Sequence, residues 1–246
     1  MGRVSRRQFL KASGFAGAAT ALVTGTAAAQ TVSPNLEGTS ENGQNPATNR
    51  MAMLMDNSLC VNCHSCRLAC QNENKLPVTE KYIRFDYIET GRFPNVKRLL
   101  NRHSCMHCEE APCIGVCPVN ALEKGAEGFT HTDFETCIGC GVCLHVCPFE
   151  VPVISEEAGT GKPKMYKCNG CRHLIAAGIA PACATNCITG AVQYGTWDEM
   201  RAKAEERVAK LRATSPGANV YGIDEQGGLG LLLVLRTPPA DYPHLV

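Results

Sequence analysis

The sequence predicts an α+β fold built from short strands, single helical turns and cysteine-rich loops, and three observations lead to it. All sixteen cysteines among the 246 residues fall into four groups of four, called quartets below. Apolar segments of strand length stand before and between the quartets. After the last quartet, residues 198–212 carry apolar side chains at helical spacing, and an apolar strand is predicted at 228–235. Aromatic residues reach only 6%, so the conventional core is thin.

The first 29 residues have the form of an export signal. Arg6 and Arg7 precede Phe9, Leu10 and a weakly apolar run that ends in three alanines at 27–29. This segment resembles a twin-arginine signal, which predicts that the chain is exported folded to the periplasm or the outer face of the cytoplasmic membrane. A membrane span is the alternative, but residues 12–29 are mostly alanine, glycine and threonine, too weakly hydrophobic for one.

The segments between the signal and the last quartet predict a linker, two strands and two hairpins. Residues 30–50 are polar and rich in turn formers, and we interpret them as a linker or a strap over a partner's surface. The apolar run 51–56 predicts a strand that leads into the first quartet, and the alternation over 82–88 predicts another. Residues 121–132 and 150–167 are expected to form hairpins that connect the quartets.

The third quartet carries the sharpest motif. It consists of Cys137, Cys140, Cys143 and Cys147. Together with Pro148 it has the spacing C-x2-C-x2-C-x3-C-P, which holds cubic iron–sulfur clusters in bacterial ferredoxins. A tight loop around a cube needs backbone freedom, which Gly139 and Gly141 supply. Cys143 and Cys147 stand four apart on one face of a helical turn that Pro148 ends, so the fourth thiolate is expected to point to a neighbouring cluster.

The other three quartets are variants of this pattern. The second keeps both ends of the motif around a two-residue insertion, and consists of Cys105, Cys108, Cys113 and Cys117. The first has the full spacing but Gln71 in place of proline, and consists of Cys60, Cys63, Cys66 and Cys70. The fourth has eleven residues at its centre and Ile188 in place of proline, and consists of Cys168, Cys171, Cys183 and Cys187.

Other uses of cysteine explain this pattern less well. Structural zinc needs paired C-x2-C motifs but no third cysteine two residues later. Disulfides would leave the regularity of the quartets without a cause. Cys60, Cys63 and His64 fit a C-x-x-C-H haem site, but a haem there would leave Cys66 and Cys70 unused. Four histidines stand beside or near cysteines: His103, His107, His145 and His173. They are interpreted as loop or helix residues and not as ligands, because no cysteine is missing from any quartet.

A resemblance to a known family rests on three features: the four quartets in this order, and the segments KCNGCRHLIAAGIAPACATNC and TWDEMRAKAEERVAKLRATSPGANVYG. The family is that of the iron–sulfur subunits of molybdenum or tungsten bis-pterin oxidoreductases. It includes formate dehydrogenase and the polysulfide, tetrathionate, arsenate and dimethyl sulfoxide reductases, and related subunits serve nitrite reduction and a membrane hydrogenase. The resemblance covers residues 51 to about 240. The tail is most similar to formate dehydrogenase, and the first half equally resembles the sulfur and arsenate branch.

The resemblance implies two nested bacterial-ferredoxin-like units, each with two clusters. Residues 51–97 and 151–197 would form an outer unit, 98–150 an inserted unit, and 198–246 a tail of helix and strand. The quartets would exchange their last cysteines. The first outer set would then be Cys60, Cys63, Cys66 and Cys187, and the second outer set Cys70, Cys168, Cys171 and Cys183. The first inner set would be Cys105, Cys108, Cys113 and Cys147, and the second inner set Cys117, Cys137, Cys140 and Cys143.

Because all sixteen positions are filled, we expect four 4Fe-4S clusters, which replace part of the missing core. The sequence has no H-E-x-x-H, G-x-S-x-G or phosphate-loop motif, so no catalytic site of its own is predicted. Without the signal the chain has 20 basic and 23 acidic residues, and no nucleic-acid footprint. Four basic residues stand near the quartets: Arg67, Arg102, Lys167 and Arg172. They are candidates for raising cluster potentials, and the alternative is that they are ordinary solvated or interface charges.

The predicted function is that of an exported electron-transfer subunit in anaerobic respiration. It would pass single electrons between a molybdenum or tungsten bis-pterin catalytic subunit and a quinone-linked membrane subunit or a cytochrome. The mature chain is expected to have no transmembrane helix, because its apolar strand at 228–235 is far too short. The alternatives are a free-standing polyferredoxin, a subunit of a hydrogenase or nitrite reductase system, and a zinc-stabilised interaction module.

Overall fold

A computed structural model describes residues 50–157 and 159–245. The predicted export signal, and the predicted linker as far as residue 49, lie outside the described residues. The strands are β1 (Met51–Asp56), β2 (Arg84–Thr90), β3 (Lys97–His103), β4 (Leu122–Lys124), β5 (Thr130–Thr132), β6 (Val153–Glu156), β7 (Pro163–Tyr166), β8 (Val192–Thr196), β9 (Asn219–Tyr221) and β10 (Leu231–Leu235). The helices are α1 (Ser65–Glu73), α2 (Pro112–Gly115), α3 (Val142–His145), α4 (Arg172–Ala176), α5 (Ala182–Thr185) and α6 (Trp197–Leu211).

A four-stranded sheet with the order β8-β1-β10-β9 divides the molecule into two layers. β1 and β10 are parallel, with Met53 opposite Leu231, and the outer two pairs are antiparallel. Both central strands are buried on both faces, which explains why they are continuous apolar runs in the sequence. Met53 and Leu231 face the layer that holds the cysteines, whereas Leu54 and Leu232 face α6.

Helix α6 packs on the face of the sheet opposite the cysteines. Met200, Ala204 and Val208 recur at intervals of four and are buried against that face. A capping box begins the helix: the Thr196 hydroxyl accepts from the Glu199 N–H at 3.3 Å, and the Glu199 carboxylate accepts from the Thr196 N–H at 3.1 Å. The predicted helix over 198–212 is confirmed, with bounds one residue earlier at each end.

The other layer consists of three two-stranded hairpins and the cysteine loops. The predicted connecting hairpins are confirmed as β4–β5 and β6–β7. The strand predicted over 82–88 is β2, which begins later and pairs with β3, a strand that the sequence did not reveal. Tyr82 and Ile83 precede β2 because both side chains are buried, which breaks the alternation that a half-buried strand requires.

In the first three quartets, the length of the helical turn depends on the residue that follows the last cysteine. α2 and α3 each have four residues, and Pro118 and Pro148 stand beyond them. α1 has nine residues and continues past Cys70, because Gln71 can continue a helix. The Gln71 side chain then donates to the carbonyl of Pro77 at 3.2 Å, which fixes the chain that leaves the helix.

The segment expected to form a tail supplies β9 and β10, so it completes the main sheet. The β2–β3 hairpin spans the boundary at residue 98 that separates the predicted outer and inserted units. The division into nested units therefore stays a prediction. Among the described residues, no helix combines the length and apolarity that crossing a membrane requires.

Thr196→Ala should lower the free energy of unfolding by about 1 kcal/mol, because it removes the hydroxyl that caps α6. Thr196→Ser keeps a capping hydroxyl and should remain close to wild type. Urea unfolding of the iron-loaded protein, followed by far-UV circular dichroism, compares the three. Equal unfolding midpoints for Thr196→Ala and wild type would show that the cap does not stabilise the fold.

Candidate metal centres

The opening loops of all four quartets share one unusual backbone feature. The residue before the second cysteine has a positive φ in each: 58° at Asn62, 51° at His107, 66° at Gly139 and 63° at Gly170. Glycine adopts this left-handed conformation readily and other residues seldom do. The same turn in four loops of different sequence indicates that one structural unit is repeated four times. Sequence reasoning found this requirement only in the third quartet, at Gly139.

Gly139 is constrained by a neighbouring strand as well as by its φ. A Cβ atom added there would overlap the carbonyl oxygen of Pro163, at the start of β7. The loop of the third quartet therefore lies directly against the β6–β7 hairpin. By contrast, a Cβ atom added at Gly115 in α2, two residues before Cys117, would meet no other atom within 4 Å.

Two cavities of nearly equal size are each lined by four cysteines. The cysteines of the first inner set line one of these cavities. Those of the second inner set line the other. In each cavity, three cysteines come from one quartet and the fourth from the other. The structure therefore brings together both inner groupings that the family resemblance implied.

The cysteines of each outer set also lie close together, because their thiols influence one another's pKa. Burial raises the pKa of Cys70, and the thiols that raise it further are those of Cys168, Cys183 and Cys171, all of the second outer set. Burial also raises the pKa of Cys60, and Cys187 and Cys63 of the first outer set contribute. Residues about a hundred or more positions apart in sequence are thus neighbours in space.

Electrostatic interactions between thiols of different groupings show which groupings are adjacent and place them in a row. The pKa of Cys66 is raised by burial and then by Cys183, so the two outer groupings are adjacent. Burial raises the pKa of Cys168 to about 12, and Cys105, of the first inner set, contributes. Burial raises the pKa of Cys113 to about 11, with a contribution from Cys143, of the second inner set. The order is therefore first outer, second outer, first inner, second inner.

The two ends of this row reach the surface. Cys63 and Cys140 are the exposed members of the sixteen cysteines, and the other fourteen are buried or half-buried. Cys63 belongs to the first outer set and Cys140 to the second inner set, which are the two terminal groupings. All four cysteines of the second outer set, inside the row, are buried, and one cysteine at each end of the row is exposed.

Backbone and side-chain N–H groups point at several of the sulfur atoms. The N–H groups of Ala121 and Val192 donate to Cys117 Sγ at 3.2 Å and Cys187 Sγ at 3.3 Å. Asn74 Nδ2 donates to Cys70 Sγ at 3.6 Å and Cys171 Sγ at 3.7 Å, which links two quartets. Such bonds favour the ionised thiolate, the form that binds metal. Sequence reasoning missed Asn74, whose only signal is its place at the end of α1.

Two buried cations lie among the thiols. Arg102 is only 1% exposed and Lys167 only 2%. Lys167 Nζ donates to the carbonyls of Thr130 at 2.7 Å and Cys168 at 3.1 Å, and Arg102 Nη2 donates to Cys183 Sγ at 3.7 Å. Among the described residues, neither side chain forms an ion pair with a carboxylate.

The charges of these buried residues fit an anionic metal–thiolate group. Burying a cation without an anion costs several kcal/mol. An oxidised 4Fe-4S cluster with four thiolates carries roughly −2, which would supply the missing negative charge. The other two basic candidates differ. Arg67 is half-buried in α1, and Arg172 is exposed and paired with Glu123, as expected of an ordinary surface charge.

The histidines beside the cysteines have other surroundings. His103 Nε2 lies 2.7 Å from the carbonyl oxygen of Phe149, and its ring stacks on His244. His107 Nδ1 accepts from the N–H of Thr130, and His173 pairs with Glu73. His145 is exposed at the end of α3. In the part of the chain that the structure describes, no histidine lines either cysteine cavity.

Repeated three-cysteine loops, with a fourth cysteine supplied by another segment, define a protein of the ferredoxin class, which holds iron–sulfur clusters on thiolates. Residues 96–197 match the family model of the 4Fe-4S dicluster domain. Together with the identity of more than 30% to known iron–sulfur subunits, this match shows that the chain belongs to the family of iron–sulfur electron-transfer subunits that contain this domain.

Three relatives illustrate the similarity, all from Escherichia coli (strain K12). The nitrate-inducible formate dehydrogenase iron–sulfur subunit is 34% identical over 79% of this chain and 70% of its own length. The formate dehydrogenase-O iron–sulfur subunit is 30% identical over 79% and 69%. Protein NrfC is 36% identical over 79% and 81%.

Gly139→Ala should lower the iron and acid-labile sulfide content by the amount of one cluster. The new methyl group would overlap Pro163, and the φ of 66° disfavours any side chain. Gly115→Ala is the matched control, because its methyl group meets open space, and it should keep full iron content. Metal analysis after anaerobic purification distinguishes them, and full iron content in Gly139→Ala would contradict this role for the loop.

Proposed function

We propose that this chain is an exported subunit that conducts single electrons through four 4Fe-4S clusters. The clusters would connect a molybdenum or tungsten bis-pterin catalytic subunit with a quinone-linked membrane subunit or a cytochrome. One observation carries the proposal: four groupings of four cysteines follow one another in a row, and each end of the row has one exposed thiol. An electron carrier between two partners requires such an arrangement.

Each outer and inner set would hold one cluster, within the nested pair of ferredoxin-like units. A bound 4Fe-4S cluster supplies one-electron chemistry. The chain does the rest: its cysteines hold the metal, its N–H groups stabilise negative charge on sulfur, and its burial of the second outer set excludes water there. The chain moves no proton and binds no substrate in this proposal.

The surfaces around both terminal groupings support contact with partner proteins. Val61 and Ile188 are exposed beside cysteines of the first outer set, and Ile138 and Val142 are exposed beside cysteines of the second inner set. Exposed apolar side chains that cluster at one site are typical of protein contacts. A partner at each end would cover these side chains and shield Cys63 or Cys140 from water.

Similarity to formate dehydrogenase iron–sulfur subunits supports a formate dehydrogenase-like catalytic partner. A sulfur or arsenic oxyanion reductase is the second possibility within the same class. A hydrogenase or nitrite reductase system is kept as the alternative, because the family that the sequence resembles includes subunits that serve such systems. We propose the periplasm or the outer membrane face as the location, on the strength of the twin-arginine motif at residues 6–7.

A tagged chain isolated anaerobically from its host should bring down a large subunit that contains molybdenum or tungsten. Ile188→Asp and Ile138→Asp should each release a different partner, because they place a charge at opposite ends of the row, and neither should lose iron. Metal analysis and mass spectrometry of the complexes provide the readout. A free monomer with full iron would favour the polyferredoxin, and a colourless zinc protein would end the redox interpretation.

Cys70→Ser and Cys183→Ser should remove the same cluster signal from the electron paramagnetic resonance spectrum of the reduced protein, although they belong to different quartets. Cys66→Ser, in the same quartet as Cys70, should remove a different signal. The reason is that each cluster would take its fourth thiolate from a distant quartet. Loss of one common signal in Cys66→Ser and Cys70→Ser would contradict the proposed ligand sets.

A further inference from the structure

We propose that Arg102 is a counter-charge shared by the two outer clusters, and that it raises the reduction potentials of both. The inference rests on the proposed function, since it concerns clusters held by the two outer sets. Arg102 would act on the metal through its field and through one ligand. It is therefore a positioning and potential-setting residue, and it takes no part in binding the metal.

The side chain of Arg102 is buried, and hydrogen bonds satisfy only part of its guanidinium group. It leaves the end of β3 with 1% of its surface exposed. Its Nε donates to the hydroxyl of Ser104 at 3.1 Å, and its Nη2 donates to Cys183 Sγ at 3.7 Å. Its Nη1 is buried and has no hydrogen-bond partner among the described residues. Burying a hydrogen-bond donor without an acceptor costs free energy. Nη1 therefore needs an acceptor that the described residues do not supply.

The positive charge reaches thiols of both outer sets. Cys60 and Cys66 of the first outer set lie within its electrostatic range. So do Cys70 and Cys168 of the second outer set, and Cys183 of that set is its direct hydrogen-bond partner at 3.7 Å. The guanidinium therefore lies at the junction of the two groupings, where Cys66 and Cys183 approach one another.

The physical effect on reduction follows from charge. Reduction of a cluster adds one electron and makes it more negative by one unit, while the guanidinium stays protonated and releases nothing. A fixed cation stabilises the reduced form more than the oxidised form, so the potential rises. Burial strengthens this interaction, because little water screens it. One residue at the junction therefore raises two potentials at once.

Asn74 provides a comparison within the same region. Its amide donates to Cys70 Sγ and Cys171 Sγ, both in the second outer set. Hydrogen bonds to cluster sulfurs also raise potentials. Removing this amide should therefore affect one outer cluster, whereas removing the charge of Arg102 should affect two.

The test is a potentiometric titration of the whole purified protein, in which electron paramagnetic resonance follows each cluster. Arg102→Gln and Arg102→Met should make both outer clusters harder to reduce by about tenfold or more, equivalent to about 59 mV for one electron. Arg102→Lys keeps the charge and should shift them much less. Asn74→Leu should shift only the second outer cluster.

Two internal references accompany these variants. The cluster of the second inner set lies at the far end of the row and should keep its potential in every variant. Arg201→Gln removes an arginine that is exposed on α6 and paired with Glu205, so it should change no potential. Iron content is measured for each variant, because a purely structural role for Arg102 would lower iron content without moving potentials.

Each result decides the inference. Unchanged outer potentials in fully loaded Arg102→Gln or Arg102→Met would overturn it and leave the proposed function intact. Loss of the outer clusters in both neutral variants but not in Arg102→Lys would support the need for charge. Loss in Arg102→Lys as well would show that shape matters instead, and would overturn the inference. A wild-type protein without iron–sulfur clusters would defeat the proposed function itself.

Discussion

The convergence of thiols from distant parts of the chain is the constraint on which the rest of the structure depends. Cys70 lies among cysteines from the fourth quartet, and Cys147 lines a cavity with cysteines from the second. Each such meeting requires the segments between to return to the same place, and short hairpins achieve this. It also concentrates groups that become negative when they bind metal, which explains why Arg102 and Lys167 are buried without carboxylate partners among the described residues.

The main sheet lets a chain with few aromatic residues support these loops. Its central strands present methionine and leucine to the cysteines on one face, and alanine, leucine and valine to α6 on the other. Buried cysteines form part of the hydrophobic core on the cysteine side of the sheet, alongside Met53, Leu231 and Leu233. The metal layer and the hydrophobic layer thus share one wall, so the position of β1 constrains the loop of the first quartet that comes after it.

Much of this architecture can be predicted from local sequence. The quartet spacing, the helix α6 with its capping box, both connecting hairpins and the strand at Met51 are all set by near neighbours. The features that were missed depend on distant ones. The pairing of β3 with β2, and the central place of β10, involve no local signal. Nor does sequence reveal that Asn62 and His107 adopt the same left-handed turn as Gly139, because only glycine advertises that conformation.

The parallel pairing of β1 with β10 has a consequence for the order in which the molecule can be completed. β1 begins at Met51, yet its neighbours in the sheet begin at Val192 and Leu231. On the ribosome, β1 therefore has no partner until β8 has been synthesised, and its second edge stays open until β10 follows. Contacts of such long sequence separation form late and slowly. Until both of those strands have been synthesised, β1 keeps an unpaired edge that is open to other strands.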